Sequence, residues 1–224
     1  MKRGSSLSKR ISILLIFLVL FALVSCNRSY DEAEVIENAS RLLKQAEILN
    51  EVYYGKGIQY INTGFADGYY FEADPMHLNK LGFSTIAELK NKTLETFTEG
   101  YSEQIFSTKL SVIEDETGIQ AMTRYYQKYD GVSALDPVCI MVYSNAAVML
   151  KDDIVYDYST LRVSGVKKQT VYVNVDATVT NSEGKSQKVT IRLDLIEEDF
   201  GWRIDNPCYA NYNDKLDIYN DLNK

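Results

Sequence analysis

The chain has little of the residues that usually indicate a catalytic site or a covalent scaffold. Its 224 residues include one histidine, three prolines and three cysteines. The single histidine, His77, excludes most metal sites and catalytic triads, and three cysteines are too few for a small disulfide scaffold. Three prolines beside twelve glycines exclude a flexible linker protein. With 46% hydrophobic and 25% charged residues, the composition is that of a globular protein with one domain.

Acidic residues are absent from the start of the chain. No aspartate or glutamate precedes Cys26, whereas four basic residues do, namely Lys2, Arg3, Lys9 and Arg10. The apolar run Ile11–Leu23 has 13 residues and as a helix spans about 20 Å, less than the roughly 30 Å of a bilayer core. This pattern predicts an export signal peptide rather than a stable membrane span.

The apolar run ends in the motif Leu23-Val24-Ser25-Cys26. The motif resembles the lipobox of bacterial lipoproteins, in which the cysteine thiol is diacylated and the signal peptide is cut before it. The resemblance implies a signal peptide over residues 1–25, a lipidated Cys26 that begins a tether over 26–32, and one domain over 33–224. Two acyl chains would hold the protein on the extracytoplasmic face of the cell membrane. The alternatives are a plain secretory peptide with an incidental cysteine and an uncleaved anchor.

Removal of the signal peptide makes the chain more acidic. It leaves 20 basic against 31 acidic residues, a formal charge of −11. Nucleic acid is therefore not expected as a partner, because phosphate binding needs a basic face. The same charge repels anionic lipid, so the membrane contact is expected through the lipid alone. A basic envelope protein is the kind of protein partner that this charge favours.

Helical patterns occupy the first half of the exported part. Apolar residues at three- and four-residue steps predict an amphipathic helix from about Asp31 to Tyr54. Ser84 or Thr85 can cap a second helix, and Gly100 is expected to separate it from a further helical turn. The segment Asp74-Pro75 is typical of a turn.

Strand patterns occupy the second half. Apolar residues alternate with polar ones over 171–179 and 189–195, and the segment 181–185 between them is typical of a hairpin loop. Further strands are expected at 123–129, 138–143, 154–163 and 202–204. The sequence thus predicts an α+β domain in which the first helix lies across a four-to-six-stranded antiparallel sheet. The register predicts burial of Val173, Val175, Ile191 and Leu193.

This order of elements, with the closing strand Trp202-Arg203-Ile204-Asp205, supports a resemblance that covers roughly residues 35–209. It resembles the cystatin-like or nuclear transport factor 2-like curved-sheet proteins that occur as lipoproteins of Gram-positive bacteria. More specifically, it is similar to the secreted inhibitors of D,L-endopeptidase autolysins. The resemblance implies a long N-terminal helix packed on a curved antiparallel sheet. It transfers no inhibitor contact to a particular residue.

Catalytic candidates are few. His77 lies near Asp74, which would suit an acid-base pair or simply a surface loop. Some enzymes of the curved-sheet fold resemble ketosteroid isomerase and use an aspartate as base, for which Asp157, Asp176 and Asp194 are candidates. Because Asp176 and Asp194 fall on the polar side of their strands, they suit this role poorly. No cofactor motif occurs, and the acidic clusters lack the spacing of a calcium loop, so neither a cofactor nor a metal is expected.

Cys139 and Cys208 are the two cysteines of the exported domain other than Cys26. They could pair, which the loop-entropy relation values at roughly 4 kcal/mol, or they could be two separate small core residues. The spacing alone does not decide between the two.

The binding candidates are an acidic turn, Glu197-Glu198-Asp199, and two of the seventeen tyrosines, Tyr156 and Tyr158. The turn suits capture of a basic partner, and tyrosines enrich binding surfaces; a solvated turn and half-buried strand tyrosines are the alternatives. We expect a lipid-anchored envelope lipoprotein that acts as a non-enzymatic binding or regulatory module for a cell-wall protein. A small-pocket isomerase or hydratase and a structural lipoprotein are the alternative functions.

Overall fold

The computed structural model describes residues 30–62, 64, 66–110, 113–114, 120–121, 123–130 and 133–212. The predicted signal peptide and its Cys26 lie outside these residues. The chain divides into two units, Met1–Val35 and Ile36–Lys224. In the described part of the first unit, the Asp31 carboxylate accepts the Ala33 N–H at 2.9 Å and caps the start of a helix.

The described residues form four helices. Their bounds are α1 Glu32–Tyr53, α2 Pro75–Leu81, α3 Ile86–Thr96 and α4 Glu99–Lys109. The turn expected at Asp74-Pro75 is wrong, because these two residues begin helix α2. The Asp74 side chain accepts the Met76 N–H, Pro75 occupies the first turn, and Gly82 ends the helix at a φ of 74°. The same residue types that favour a turn here start a helix.

The break between helices α3 and α4 does not lie where the sequence pattern predicted it. Thr85 caps α3 as expected, and the Glu88 carboxylate accepts the N–H of Ser84, the residue before the cap, at 2.6 Å. Gly100, however, lies inside α4. The break falls at Phe97, which is extended at φ −110° and ψ 155° because it is buried and bridges Ile204 in parallel.

The strands form two four-stranded sheets and one two-stranded sheet in the described part of the chain. The orders are β1-β2-β6-β5, β10-β9-β8-β7 and β3-β4, and the paired strands are antiparallel. The bounds are β1 Ala66–Asp67, β2 Tyr70–Glu72, β3 Ile113–Glu114, β4 Gln120–Ala121, β5 Tyr125–Asp130, β6 Ser133–Tyr143, β7 Asp153–Lys167, β8 Thr170–Thr180, β9 Ser186–Glu198 and β10 Gly201–Ile204.

The single sheet of four to six strands that we expected is wrong, because the longer strands of the described residues divide between two four-stranded sheets. Residues 144–152 between β6 and β7 contain no strand. This connection lets β6 pair with β2 and β5, while β7 pairs with β8. Which strands hydrogen-bond is a long-range property that strand periodicity does not specify.

The register of the β8–β9 hairpin is confirmed. Val173, Val175 and Leu193 have no exposed surface, and Ile191 is 3% exposed. The loop Asn181–Lys185 joins the strands, and the Asn181 carboxamide accepts the N–H groups of Glu183 and Lys185. The apolar alternation alone was sufficient to predict which face of these strands is buried.

The end of α1 is held by two residues that precede and begin β5. The buried Arg124 guanidinium donates to the Tyr53 carbonyl at 2.9 Å and to the Gly55 carbonyl at 2.6 Å. The Tyr125 hydroxyl donates to the Val52 carbonyl at 2.6 Å. These bonds satisfy carbonyls that a helix leaves unpaired at its C-terminus, so the last turns of α1 have a defined position.

Candidate functional site

A cleft of about 190 Å³ lies beside the last turns of α1. One wall comes from α1, another from the chain that enters β7, and a third from the segment after β10. The lining residues are Glu47, Asn50, Glu51, Leu150, Asp152, Asp153, Ile154, Tyr156 and Tyr209. Four of these are carboxylates, and the described lining contains no lysine or arginine.

Hydrogen bonds from the chain orient three of the four carboxylates. Glu51 accepts the Lys56 N–H at 2.9 Å, and Asp152 accepts the Tyr212 N–H at 2.6 Å. Glu47 accepts a short hydrogen bond from the Tyr158 hydroxyl. The two glutamates lie four residues apart on one face of α1, near its C-terminus, where the helix dipole is negative. The last turn of α1 has no basic residue of its own, and the Arg124 guanidinium on the carbonyls at this end offsets part of the negative dipole.

Tyrosines form the inner side of the cleft. Tyr156 is 9% exposed and its hydroxyl donates to the Cys208 carbonyl at 2.6 Å. Burial raises its pKa, so the hydroxyl stays protonated. The ring centroid of Tyr209 lies 5.0 Å from that of Tyr54, which supports the opposite side. Of the two predicted tyrosines, Tyr156 lines the cleft, whereas Tyr158 holds Glu47.

The predicted acidic turn lies at the other end of the second sheet. Tyr156 pairs with Ala177, which pairs with Val189. Glu197 follows Val189 by eight residues along β9, or about 26 Å at 3.3 Å per residue. The structure therefore does not bring the acidic turn together with Tyr156 and Tyr158.

The surroundings of the acidic turn moderate its charge. Glu197, Glu198 and Asp199 are exposed, as expected. Strand β8 begins beside this end of β9, since Thr170 pairs with both Ile196 and Lys167. Lys167 and the adjoining Lys168 are therefore at the same edge of the sheet and offset part of the negative charge.

His77 and Asp74 do not form an acid-base pair. The Asp74 carboxylate accepts the Met76 N–H at 2.9 Å, and His77 accepts the Gln59 N–H at 2.9 Å through Nδ1. The Asp74 side chain thus binds the backbone of the first turn of α2, and the His77 side chain binds the backbone of Gln59. His77 lies in this helix and not in a loop.

The aspartates of the second sheet are occupied by neighbouring side chains. Asp176 accepts from the Thr190 hydroxyl at 2.8 Å and from Arg162 at 3.1 Å, and these bonds lower its pKa. Asp194 pairs with Arg192 at 2.7 Å. Asp157 accepts the Ser159 N–H at 3.1 Å. None of the three resembles a carboxyl in an apolar pocket, the environment that raises a catalytic pKa.

Cys139 and Cys208 are unpaired. The Cys208 thiol is buried and lies 3.5 Å from the Asn50 amide nitrogen. Burial raises the pKa of this thiol to about 12. Cys139 instead contacts the Met141 sulfur at 3.6 Å on the other sheet.

No protein-family model matches the chain, and the search of curated proteins found no match. Within the described residues, no three histidine, cysteine or carboxylate side chains are grouped as metal ligands, and no helix is long and apolar enough to cross a bilayer.

Most of the cleft residues were not identified from the sequence. Asp152 and Asp153 are among the acidic clusters that lack the spacing of a calcium loop, and Glu47, Asn50 and Glu51 fall within the first predicted helix. One signal could have found the glutamates: two like charges four residues apart near a helix C-terminus oppose the helix dipole. Nothing local indicates that they meet Asp152.

Proposed function

We propose that this protein is a lipid-anchored binding module of the cell envelope that captures a cationic group of a partner in the acidic cleft. The observation that supports this proposal is that Glu47, Glu51, Asp152 and Asp153 line one cleft whose described lining has no basic residue. Fixed carboxylates attract a cation most where they surround it and water is partly excluded.

The proposal also includes the lipid anchor at Cys26 and the specific fold family. The lipobox-like motif at Cys26 would place the domain on the extracytoplasmic face of the membrane. A long helix before antiparallel strands is compatible with the cystatin-like or nuclear transport factor 2-like architecture. An autolysin inhibitor of that architecture would need a basic wall enzyme as partner, which the −11 charge of the mature chain favours.

The environment of Asp176 does not suit isomerase or hydratase chemistry at that residue. Its carboxylate accepts from the Thr190 hydroxyl and from Arg162, and these bonds lower its pKa. A general base of the isomerase type would instead need a pKa raised toward neutrality.

The cleft and the acidic turn can be tested separately with a short oligolysine peptide. We expect Asp152→Asn with Asp153→Asn to weaken binding about threefold to tenfold, since each exposed charge contributes up to about 1 kcal/mol. The dissociation constant is measured by calorimetry at low and high salt. Added salt should reduce the difference between the variants.

A second variant tests the acidic turn by neutralising Glu197, Glu198 and Asp199 together. If these residues steer a basic partner, the association rate falls at low salt while the dissociation rate is nearly unchanged. An oligolysine affinity that the cleft variant leaves unaltered would refute capture in the cleft, whatever the turn variant shows.

A further inference from the structure

Two sulfur atoms lie side by side on strand β6, outside the acidic cleft. Cys139 and Met141 are two residues apart in the strand, so their side chains share one face of the sheet. The Cys139 sulfur lies 3.6 Å from the Met141 sulfur. Thiolate and thioether sulfur are soft donors that select monovalent copper. Methionine thioethers are not among the histidine, cysteine and carboxylate ligands whose grouping is absent from the described residues.

The separation of the two sulfurs allows one metal ion to bond both. A metal–thiolate bond is about 2.3 Å long, and 3.6 Å is shorter than two such bonds. Met141 has no exposed surface, and it pairs with Glu72 of β2 on one side and with Tyr126 of β5 on the other. The strands on both sides therefore fix the position of its thioether.

A groove of about 570 Å³ gives access to the Cys139 side of the pair. Its lining comes from β6, from α2 and from the segment that leads into α3, and it includes the half-buried Cys139. Glu72 and Glu88 also line this groove, and their carboxylates favour the approach of a cation. Cys208, by contrast, has no exposed surface, and its sulfur accepts from the Asn50 amide.

We propose that Cys139 and Met141 bind one Cu(I) ion. The copper–sulfur bond forms as the Cys139 thiol releases its proton to solvent, and the copper keeps its oxidation state. One thiolate balances the single charge of the ion, so the occupied site is neutral. A divalent ion would leave a net positive charge beside the buried Met141, which is costly. Zn²⁺ also prefers nitrogen, oxygen and thiolate ligands to a thioether.

The test titrates the full chain with Cu(I), without oxygen, against a coloured chelator that competes for the ion. All samples carry Cys26→Ser, so that Cys26 supplies no thiol. We expect one ion to bind per chain, and Cys139→Ser should abolish this binding. Met141→Leu preserves the side-chain volume and should weaken binding at least about tenfold, the smaller loss when a supporting group of a metal site is removed. Cys208→Ser, the matched control at the other thiol, should leave the affinity unchanged.

A direct measurement that leaves Cys139 and Met141 unaltered covers the case in which one of these variants does not fold. Ag(I) carries the same charge as Cu(I), is not oxidised by air and also prefers sulfur ligands. One equivalent of Ag(I) should shift the Met141 methyl signal in a carbon–proton spectrum, because the metal bonds the adjacent sulfur. Met76 is 72% exposed and is the internal control, whose methyl signal should not shift.

Three results would overturn the inference. A Cu(I) affinity that Cys139→Ser leaves unchanged would exclude the thiol as a ligand. A Met141 methyl signal that does not move with Ag(I) would exclude the thioether. Zn²⁺ bound as tightly as Cu(I) would exclude the preference for a monovalent ion. All three results are independent of oligolysine binding in the acidic cleft, so the proposed function is tested separately.

Discussion

At the scale of single residues, Arg124 is a buried cation whose partners are carbonyls and a hydroxyl. It is 6% exposed, and its Nε donates to the Tyr125 hydroxyl at 2.9 Å, beside its bonds to Tyr53 and Gly55. The negative end of the α1 dipole supplies the charge complement that a carboxylate would otherwise supply. Through these bonds Arg124 is a positioning residue for the cleft.

We expect Arg124→Met to lower the free energy of unfolding by about 3 kcal/mol, because it leaves buried carbonyls without a donor. Arg203→Met is the matched control, since Arg203 donates to the Leu94 carbonyl at an exposed position. Urea unfolding measures both. A loss at Arg124 no larger than that at Arg203 would show that the buried bonds contribute little.

At the scale of elements, two glycines show how context reverses the effect of one residue type. Gly100 lies in α4 and has no atom within 4 Å of the place that an alanine methyl group would occupy, whereas Gly184 has a φ of 77° in the β8–β9 loop. The first position favours alanine, since glycine costs a helix backbone entropy. The second position disfavours alanine, because a side chain is strained at positive φ.

We expect Gly100→Ala to stabilise the protein by about 0.5 kcal/mol and Gly184→Ala to destabilise it by about 1 kcal/mol. The two variants are compared by the midpoint of thermal unfolding. Destabilisation by Gly100→Ala would contradict the gain expected from an alanine inside α4.

At the scale of the whole molecule, the proposed function depends on a lipid anchor at Cys26. If Cys26 is lipidated, the domain and its acidic cleft stay near the membrane surface, which limits the search for an envelope partner. We expect Cys26→Ser to leave the membrane fraction of the producing cell after signal cleavage, because the loss of the acyl chains abolishes stable anchoring. Fractionation with an antibody to the domain measures this. A cleaved variant that remains membrane-bound would contradict the lipid anchor.

Local patterns in the sequence were enough for several elements. The alternation through Val173 and Ile191 determined the buried face of β8 and β9, since side chains of a strand point to opposite sides in turn. The cap at Thr85 was equally evident, because its hydroxyl bonds a backbone group three residues away. Both rest on contacts between neighbours in the chain.

Only the tertiary structure decided the division into two sheets, the separation of Cys139 from Cys208, and the cleft. Glu51 and Asp152 lie far apart in the chain, and they meet because α1 packs beside the start of β7. Asn50 and Cys208 likewise come within 3.5 Å only through the tertiary packing. Such contacts depend on which surfaces bury one another, and a periodic pattern specifies the faces of an element but not the element that will cover them.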